Sequence, residues 1–132
     1  MATQTEQTEA NAEFWDKQGR DYAALENYGE AIAAFDKAIA LNPQYAEAWN
    51  HKGSALANSK RYAEAFAVFD KAVAVQPHYH QAWFNRGLLL AEMGAYGTAV
   101  ESYNRAIALE ADQVYLHARE DIFLKRKLIA FG

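Results

Sequence analysis

Apolar residues return along the chain at helical spacing, in blocks that repeat. In the middle stretch Trp49, Gly53 and Leu56 stand four and then three positions apart, which places them on one face of a helix. A polar break follows, Asn58-Ser59-Lys60-Arg61. After it Tyr62, Ala65, Phe69, Ala72 and Val73 mark a second apolar helical face. The pattern predicts two helices, A and B, joined by a tight turn.

The same unit occurs three times. Trp15, Trp49 and Trp83 are 34 residues apart, as are Gly19, Gly53 and Gly87, and Tyr28, Tyr62 and Tyr96. Ala31, Ala65 and Ala99 keep the step, and Phe35, Phe69 and Tyr103 keep it with one near-match. The units run 12–45, 46–79 and 80–113 without insertion or deletion. A period of this length predicts stacked helical hairpins, each burying its apolar face against its neighbours. Glycine inside a helix costs about 1 kcal/mol relative to alanine. Its recurrence predicts a close approach of helix B, with Ala65 and Ala72 as small partners of Gly53 and with Trp49 and Phe69 filling the remaining volume. Asn42-Pro43 and Gln76-Pro77 mark the junctions between hairpins, since proline is tolerated in the first turn of a helix. Asn27 and Glu30 have capping-box spacing. Asp36-Lys37 and Asp70-Lys71 recur at the repeat step and are expected on the solvated face of helix B.

The flanks differ. Residues 1–11 are polar, rich in Thr, Gln and Glu, and read as a flexible tail. Residues 114–132 read as a helix that caps the apolar end of the stack. Asp112 is its candidate N-cap, and Tyr115, Ala118, Ile122 and Ile129 form the stripe expected to cover the third unit. A second face carries Phe123, Leu124, Leu128 and Phe131, more apolar surface than one capping face uses. Deeper burial, or continuation in a longer chain, would account for it. So would a self-association surface that makes a homo-oligomer.

Composition narrows the classes. Hydrophobic residues make up 52% and prolines number two, which suits a helical core. Cysteine is absent, which excludes disulfides, thiolate zinc sites and cysteine nucleophiles. The net charge of −4 argues against nucleic acid as a partner. Arg119, Lys125, Arg126 and Lys127 make the closing segment locally basic, which fits the favourable placement of cations near a helix C-terminus better than a membrane or nucleic-acid site. No apolar run approaches the roughly 18 residues of a membrane span, and the N-terminus lacks the pattern of a secretory signal, so no membrane insertion and a cytoplasmic location are expected.

Nucleophile elbow, P-loop, dinucleotide fingerprint and paired-histidine zinc motif are all missing, so an enzyme is not expected. His78-Tyr79-His80 is the one arrangement like a ligand set. Its histidines flank a turn and are expected to diverge, and neither a metal nor a cofactor is expected.

The pattern W-x3-G-x8-Y-x2-A-x3-F/Y-x2-A-x4-P, three times in phase over residues 12–113, resembles the tetratricopeptide repeat. The third unit departs from it in ending Ala111-Asp112-Gln113 instead of Pro and Tyr. Gln18, Lys52 and Arg86 precede the repeat glycines, where the family often has leucine. The resemblance implies an all-α, right-handed α-solenoid of three hairpins plus a C-terminal capping helix. It implies a protein-interaction scaffold or adaptor that holds a peptide or partner segment in a concave groove lined by the A helices. Carried over unit by unit, the groove positions are Lys17 and Arg20 with Glu13 and Asp16; Asn50, His51 and Ser54 with Asn58; and Gln81, Phe84, Asn85 and Leu88 with Glu92. Ala23, Ala57 and Ala91 would floor it, and Phe84 with Leu88 would anchor an apolar side chain. Relatives that grip acidic chaperone tails use a clamp of lysines and asparagines. At those positions this chain has Asp16, Arg20, His51, Gln81 and Asn85, and Asp16 would repel a carboxylate. A chaperone tail is therefore not the expected ligand.

Overall fold

The computed structural model describes residues 2–131, apart from the side chain of Phe131, and within them contains seven helices and no strand. They are α1 (Gln4–Ala24), α2 (Tyr28–Leu41), α3 (Ala46–Asn58), α4 (Tyr62–Val75), α5 (His80–Glu92), α6 (Tyr96–Leu109) and α7 (Gln113–Phe131). Each odd helix packs on the even helix after it, and each even helix packs on the next odd one. The result is an all-α solenoid of three hairpins closed by α7.

The glycine in each A helix makes room for an aromatic ring. A Cβ on Gly53 would lie 2.6 Å from the Phe69 ring, and one on Gly87 would lie 2.5 Å from Tyr103. Gly19 stands in the same relation to Phe35. The expected partners Ala65 and Ala72 are fully buried, but the ring sixteen positions on is what excludes a side chain. Phe35, Phe69 and Tyr103 are each 1% exposed and, with Leu56, form the centre of the core.

The tryptophans do not fill that centre. Trp15, Trp49 and Trp83 are half-buried. The indole N–H of Trp49 donates to the Pro43 carbonyl, and that of Trp83 to Pro77, each at 2.9 Å. Pro43 and Pro77 therefore sit in the turn ahead of the next helix, not in its first turn. A cation covers each indole at the repeat step: Lys37 at 4.2 Å from the ring centre of Trp15, Lys71 at 5.9 Å from Trp49 and Arg105 at 5.3 Å from Trp83. Asp36 pairs with Lys52 at 2.7 Å and Asp70 with Arg86 at 2.6 Å, from helix B of one hairpin to helix A of the next. Asp36, Lys37 and Lys71 are exposed, as expected for the solvated face of helix B, and from that face the two aspartates stitch neighbouring hairpins together. The unusual Lys52 and Arg86 before the repeat glycines are their partners.

The turn within each hairpin is a left-handed stop. Glu26 (φ 61°), Lys60 (φ 64°) and Gly94 (φ 79°) occupy the same repeat position. The next backbone amide returns to the helix it has left: Asn27 to Tyr22, Arg61 to Leu56 and Ala95 to Leu90, at 2.8 to 2.9 Å. This is a Schellman-type ending. It also explains why the capping box expected at Asn27 is absent. The Asn27 amide already bonds backward, so Glu30 has no free donor to reach, and the Asn27 side chain makes no capping bond.

At the N-terminus the expected irregular tail is helical from Gln4. Thr3 accepts from the Glu6 amide at 3.1 Å while Glu6 accepts from the Thr3 amide at 3.2 Å, and no glycine or proline interrupts the stretch from Gln4 to Gln18. At the other end Asp112 caps α7, accepting from the Val114 amide at 2.7 Å. Tyr115 and Ile122 are buried against the third hairpin, and Ala118 packs beside them. Ile129, expected in that stripe, is 68% exposed, because α7 runs past the edge of the body.

Candidate functional site: the concave helical face

The A-type helices crowd together and the B helices do not. Helix α1 touches α3, α3 touches α5, and α5 touches α7, whereas among the described residues α2, α4 and α6 make no contact with one another. Odd helices therefore line the inside of the curve. Small residues allow this approach: Ala12, Ala46, Ala48 and Ala82 are all nearly or fully buried.

A polar ladder runs along that inner face, one residue out of step with the repeat. Asp16 is 1% exposed, accepting from Arg20 Nε at 3.2 Å and from His51 Nδ1 at 2.8 Å. Asn50 is 5% exposed; its Nδ2 donates to the Tyr79 hydroxyl at 3.2 Å and its Oδ1 accepts from Asn85 Nδ2 at 3.0 Å. His80 Nδ1 and the Tyr115 hydroxyl are 2.8 Å apart. Three bridges thus tie α1 to α3, α3 to α5, and α5 to α7. Burial pushes the Tyr79 hydroxyl up to about 12, against the counter-effect of the Asn50 bond. Tyr45 is likewise pushed up to about 12, first by burial and then by the negative charges of Asp16, Glu47 and Glu13.

The ladder redistributes the residues carried over from the family pattern. Lys17 lies at the exposed rim, paired with Asp21 at 3.1 Å. Arg20 stays half in solvent beside Asp16. Asn50 is sealed between helices, and His51 lies half-buried with its ring centre 5.7 Å from that of Phe35. Gln81 is exposed, while Ser54 and Asn85 are half-buried. Phe84 stacks on Tyr115 with ring centres 4.4 Å apart and lies 5.6 Å from Tyr103. Phe84 is half-buried and engaged by the packing of α7. Leu88 alone is open, at 44% exposure.

Leu88 lines a cavity of about 410 Å³ together with Ser54, Asn58, Asn85, Lys60 and Glu92. The cavity lies where the ends of α3 and α5 meet the start of α4, with Ala57 and Leu89 at its base. Spacing alone revealed neither Lys60, which belongs to the turn, nor the roles of Tyr79 and Tyr115, which come from the junctions. The 34-residue step between Tyr45 and Tyr79 was the one available signal. His78 is exposed while His80 turns toward Tyr115, and among the described residues no cluster of three or more ligating side chains could hold a metal. Among those residues no helix is long and apolar enough to cross a membrane.

Stacked hairpins with the first helix of each turned inward define a helical-repeat protein. Tetratricopeptide repeat models match residues 17–77 and 51–122, the latter more than half of the chain, and the chain belongs to the tetratricopeptide repeat family. Solved structures share the fold. The first TPR of Spaghetti (RPAP3), bound to the HSP90 peptide SRMEEVD, superposes with a TM-score of 0.86 at 22% identity, over 90% of this chain and 95% of that one. The Sgt2 TPR domain from Aspergillus fumigatus gives 0.86 at 22% identity, over 92% and 82%. The TPR2B domain of yeast Sti1 in complex with pHsp70 gives 0.83 at 20% identity, over 88% and 98%. A search of curated proteins gives no match.

Proposed function

We propose that this chain is a protein-interaction module that receives an extended or helical segment of a partner protein along its inner face. The observation that carries the reading is the cavity of about 410 Å³ around Leu88, the point where apolar surface stays open beside unspent polar groups. An apolar side chain of the partner would enter against Leu88 and Ala57. Ser54 and Asn58 line the same cavity and offer donors and acceptors to its backbone, and the side-chain carbonyl oxygen of Asn85, whose Nδ2 is engaged by Asn50, offers a further acceptor. Lys60 and Glu92 on the rim would select the charges flanking that side chain. Similarity to domains solved with HSP90 and Hsp70 peptides supports a peptide as the kind of ligand.

The chemistry of the ligand differs from an acidic tail. The inner face opens on Asp16, whose carboxylate already accepts from Arg20 and His51, so neither side chain is free to clamp a carboxylate of a ligand. Asn50 and Asn85 are bonded to each other. The peptide SRMEEVD is accordingly expected to show no measurable binding in titration calorimetry. The test of the module is a pull-down with the wild type and Leu88→Arg in parallel, followed by titration of the captured partner. A loss of at least about tenfold, the scale of one buried apolar anchor, is expected for Leu88→Arg. A partner that binds Leu88→Arg and Asn58→Ala as tightly as the wild type would show that the groove is not the site.

A further inference from the structure

Helix α7 carries two different sides. Phe123, Leu124 and Leu128, the surface expected to join a second copy, are 49%, 56% and 72% exposed, and the side chain of Phe131 lies outside the described residues. Ala118, Asp121, Ile122 and Lys125 stand at helical spacing on another side. With Leu88, Ala91 and Glu92 of α5 and Tyr103 of α6 they line a second cavity, of about 170 Å³. That is well below the roughly 300–1,000 Å³ of a small-molecule site and suits a single side chain. Leu88 and Glu92 also line the first cavity, so the two cavities share one pair of α5 residues.

The polar groups of this cavity are unspent. Tyr103 is 1% exposed and lines it, yet its hydroxyl makes no hydrogen bond to any described residue. Phe35 and Phe69 hold the same seat beside the glycines of the first two hairpins, so the fold does not need that hydroxyl. Glu92 makes no ion pair among the described residues. Asp121 pairs with Lys125 at 3.4 Å, with both side chains more than half exposed, an arrangement that a second cation displaces at little cost. Burial, and then the charge of Asp121, push the Tyr103 hydroxyl up to about 12, so the field of that carboxylate reaches the phenol.

We infer that the second cavity takes a lysine side chain of the same partner segment whose apolar side chain enters beside Leu88, an inference that rests on the reading of the first cavity given above. An ammonium brings three donors, and Glu92, Asp121 and the Tyr103 hydroxyl supply oxygen acceptors. The methylene stem lies along Leu88, Ala91, Ala118 and Ile122 while its charge stays with the carboxylates. An acidic side chain in the same place would face two like charges, which excludes it as the occupant.

The probe is Nα-acetyl-lysine methylamide, with the norleucine and glutamate amides as controls for the stem and the charge. Methyl resonances of Ala91, Ala118 and Ile122 follow each titration on the full chain. The lysine amide is expected to give saturable shifts in the millimolar range, and norleucine to bind at least about fivefold more weakly. Glu92→Gln and Tyr103→Phe should each weaken the lysine amide about threefold or more at unchanged helicity, and Lys125→Ala should strengthen it by freeing Asp121. A ten-residue peptide with one leucine and one lysine two to four positions apart should bind at least about tenfold tighter than the lysine amide, a gain that Leu88→Arg removes. Absence of shifts with the lysine amide, a norleucine or glutamate amide that binds as tightly, or indifference to Glu92→Gln would each overturn the lysine seat. A lysine amide that binds as expected, with no gain from the peptide's leucine, would overturn the shared segment and the reading of the Leu88 cavity while the lysine seat stands.

Discussion

Asp16 of α1 and His51 of α3 meet 2.8 Å apart, with the carboxylate 1% exposed and the imidazole still partly in solvent. The pair ties the first hairpin to the second on the inner face, where the outer face uses Asp36 and Lys52. The inner bond is the better shielded of the two, because Asp16 is 1% exposed where Asp36 is 52% exposed, and Arg20 takes the second Asp16 oxygen. Removing His51 leaves a buried charge with one partner fewer. His51→Ala is therefore expected to cost about 1.5–3 kcal/mol, the range for a hydrogen bond to a charged group. A double-mutant cycle with Asp16→Ala measured by urea unfolding should give a coupling of at least about 0.5 kcal/mol. A coupling near zero would mean that the two hairpins are not joined there.

The left-handed turn residues offer a gain in place of a loss. Lys60 has φ 64° where the third hairpin has Gly94 at φ 79°. A left-handed backbone costs a residue with a Cβ about 1 kcal/mol, and glycine escapes that cost. The Lys60 amide and carbonyl need no change, since Gly94 makes the same turn bonds. Lys60→Gly is expected to raise stability by about 0.5–1 kcal/mol, reduced somewhat by the freedom glycine gains when unfolded. Gly94→Ala should lower it by a similar amount. Denaturation midpoints at constant slope decide both.

What the sequence disclosed was the part governed by one period. Trp15, Trp49 and Trp83 marked the hairpins, and Gly53 with Phe69 marked the contact between their helices, where the ring stands nearer the glycine than the expected alanines do. The inner ladder was hidden because its bonds step by 35, so Asp16 and Asn50 looked like free groove residues. Phe84 looked like a ligand anchor because nothing in its own helix shows that Tyr115, thirty-one residues on, will stack on it. The helical start at Gln4 depends on a two-residue reciprocal cap that composition does not reveal.

Alkaline pH should loosen the array at its aromatic junctions. Tyr45, Tyr79 and Tyr103 are each raised from 10.0 to about 12, with burial the main cause in all three. A phenol whose folded value exceeds its unfolded value holds its proton more tightly in the native state. Its contribution is fully present below pH 10 and is lost as the pH climbs from 10 toward 12. Stability against urea is expected to be flat to about pH 9.5 and then to fall, with phenolate absorbance rising in step. Tyr103→Phe should fold well, since Phe35 and Phe69 fill the same seat in the first two hairpins, and should make the fall shallower. An unchanged slope would place the Tyr103 titration outside that window.

Gly53 and Phe69 give the sharpest test of the packing, because both the injury and its repair are specified. A Cβ at residue 53 would lie 2.6 Å from a ring that is 1% exposed, so the ring has nowhere to move without displacing Leu56 or Leu89. Alanine would improve helix propensity by about 1 kcal/mol. Overpacking a core costs about 1–3 kcal/mol, so Gly53→Ala is expected to be destabilising on balance. Phe69→Ala alone should cost about 3–5 kcal/mol through the cavity it leaves. In Gly53→Ala with Phe69→Ala the smaller side chain vacates the space that the new methyl group takes. The double variant should therefore be more stable than the sum of the single effects predicts, by about 1 kcal/mol or more in a double-mutant cycle. Strict additivity would mean that the ring and the helix backbone do not meet at this point, and the explanation for the repeating glycine would fail with it.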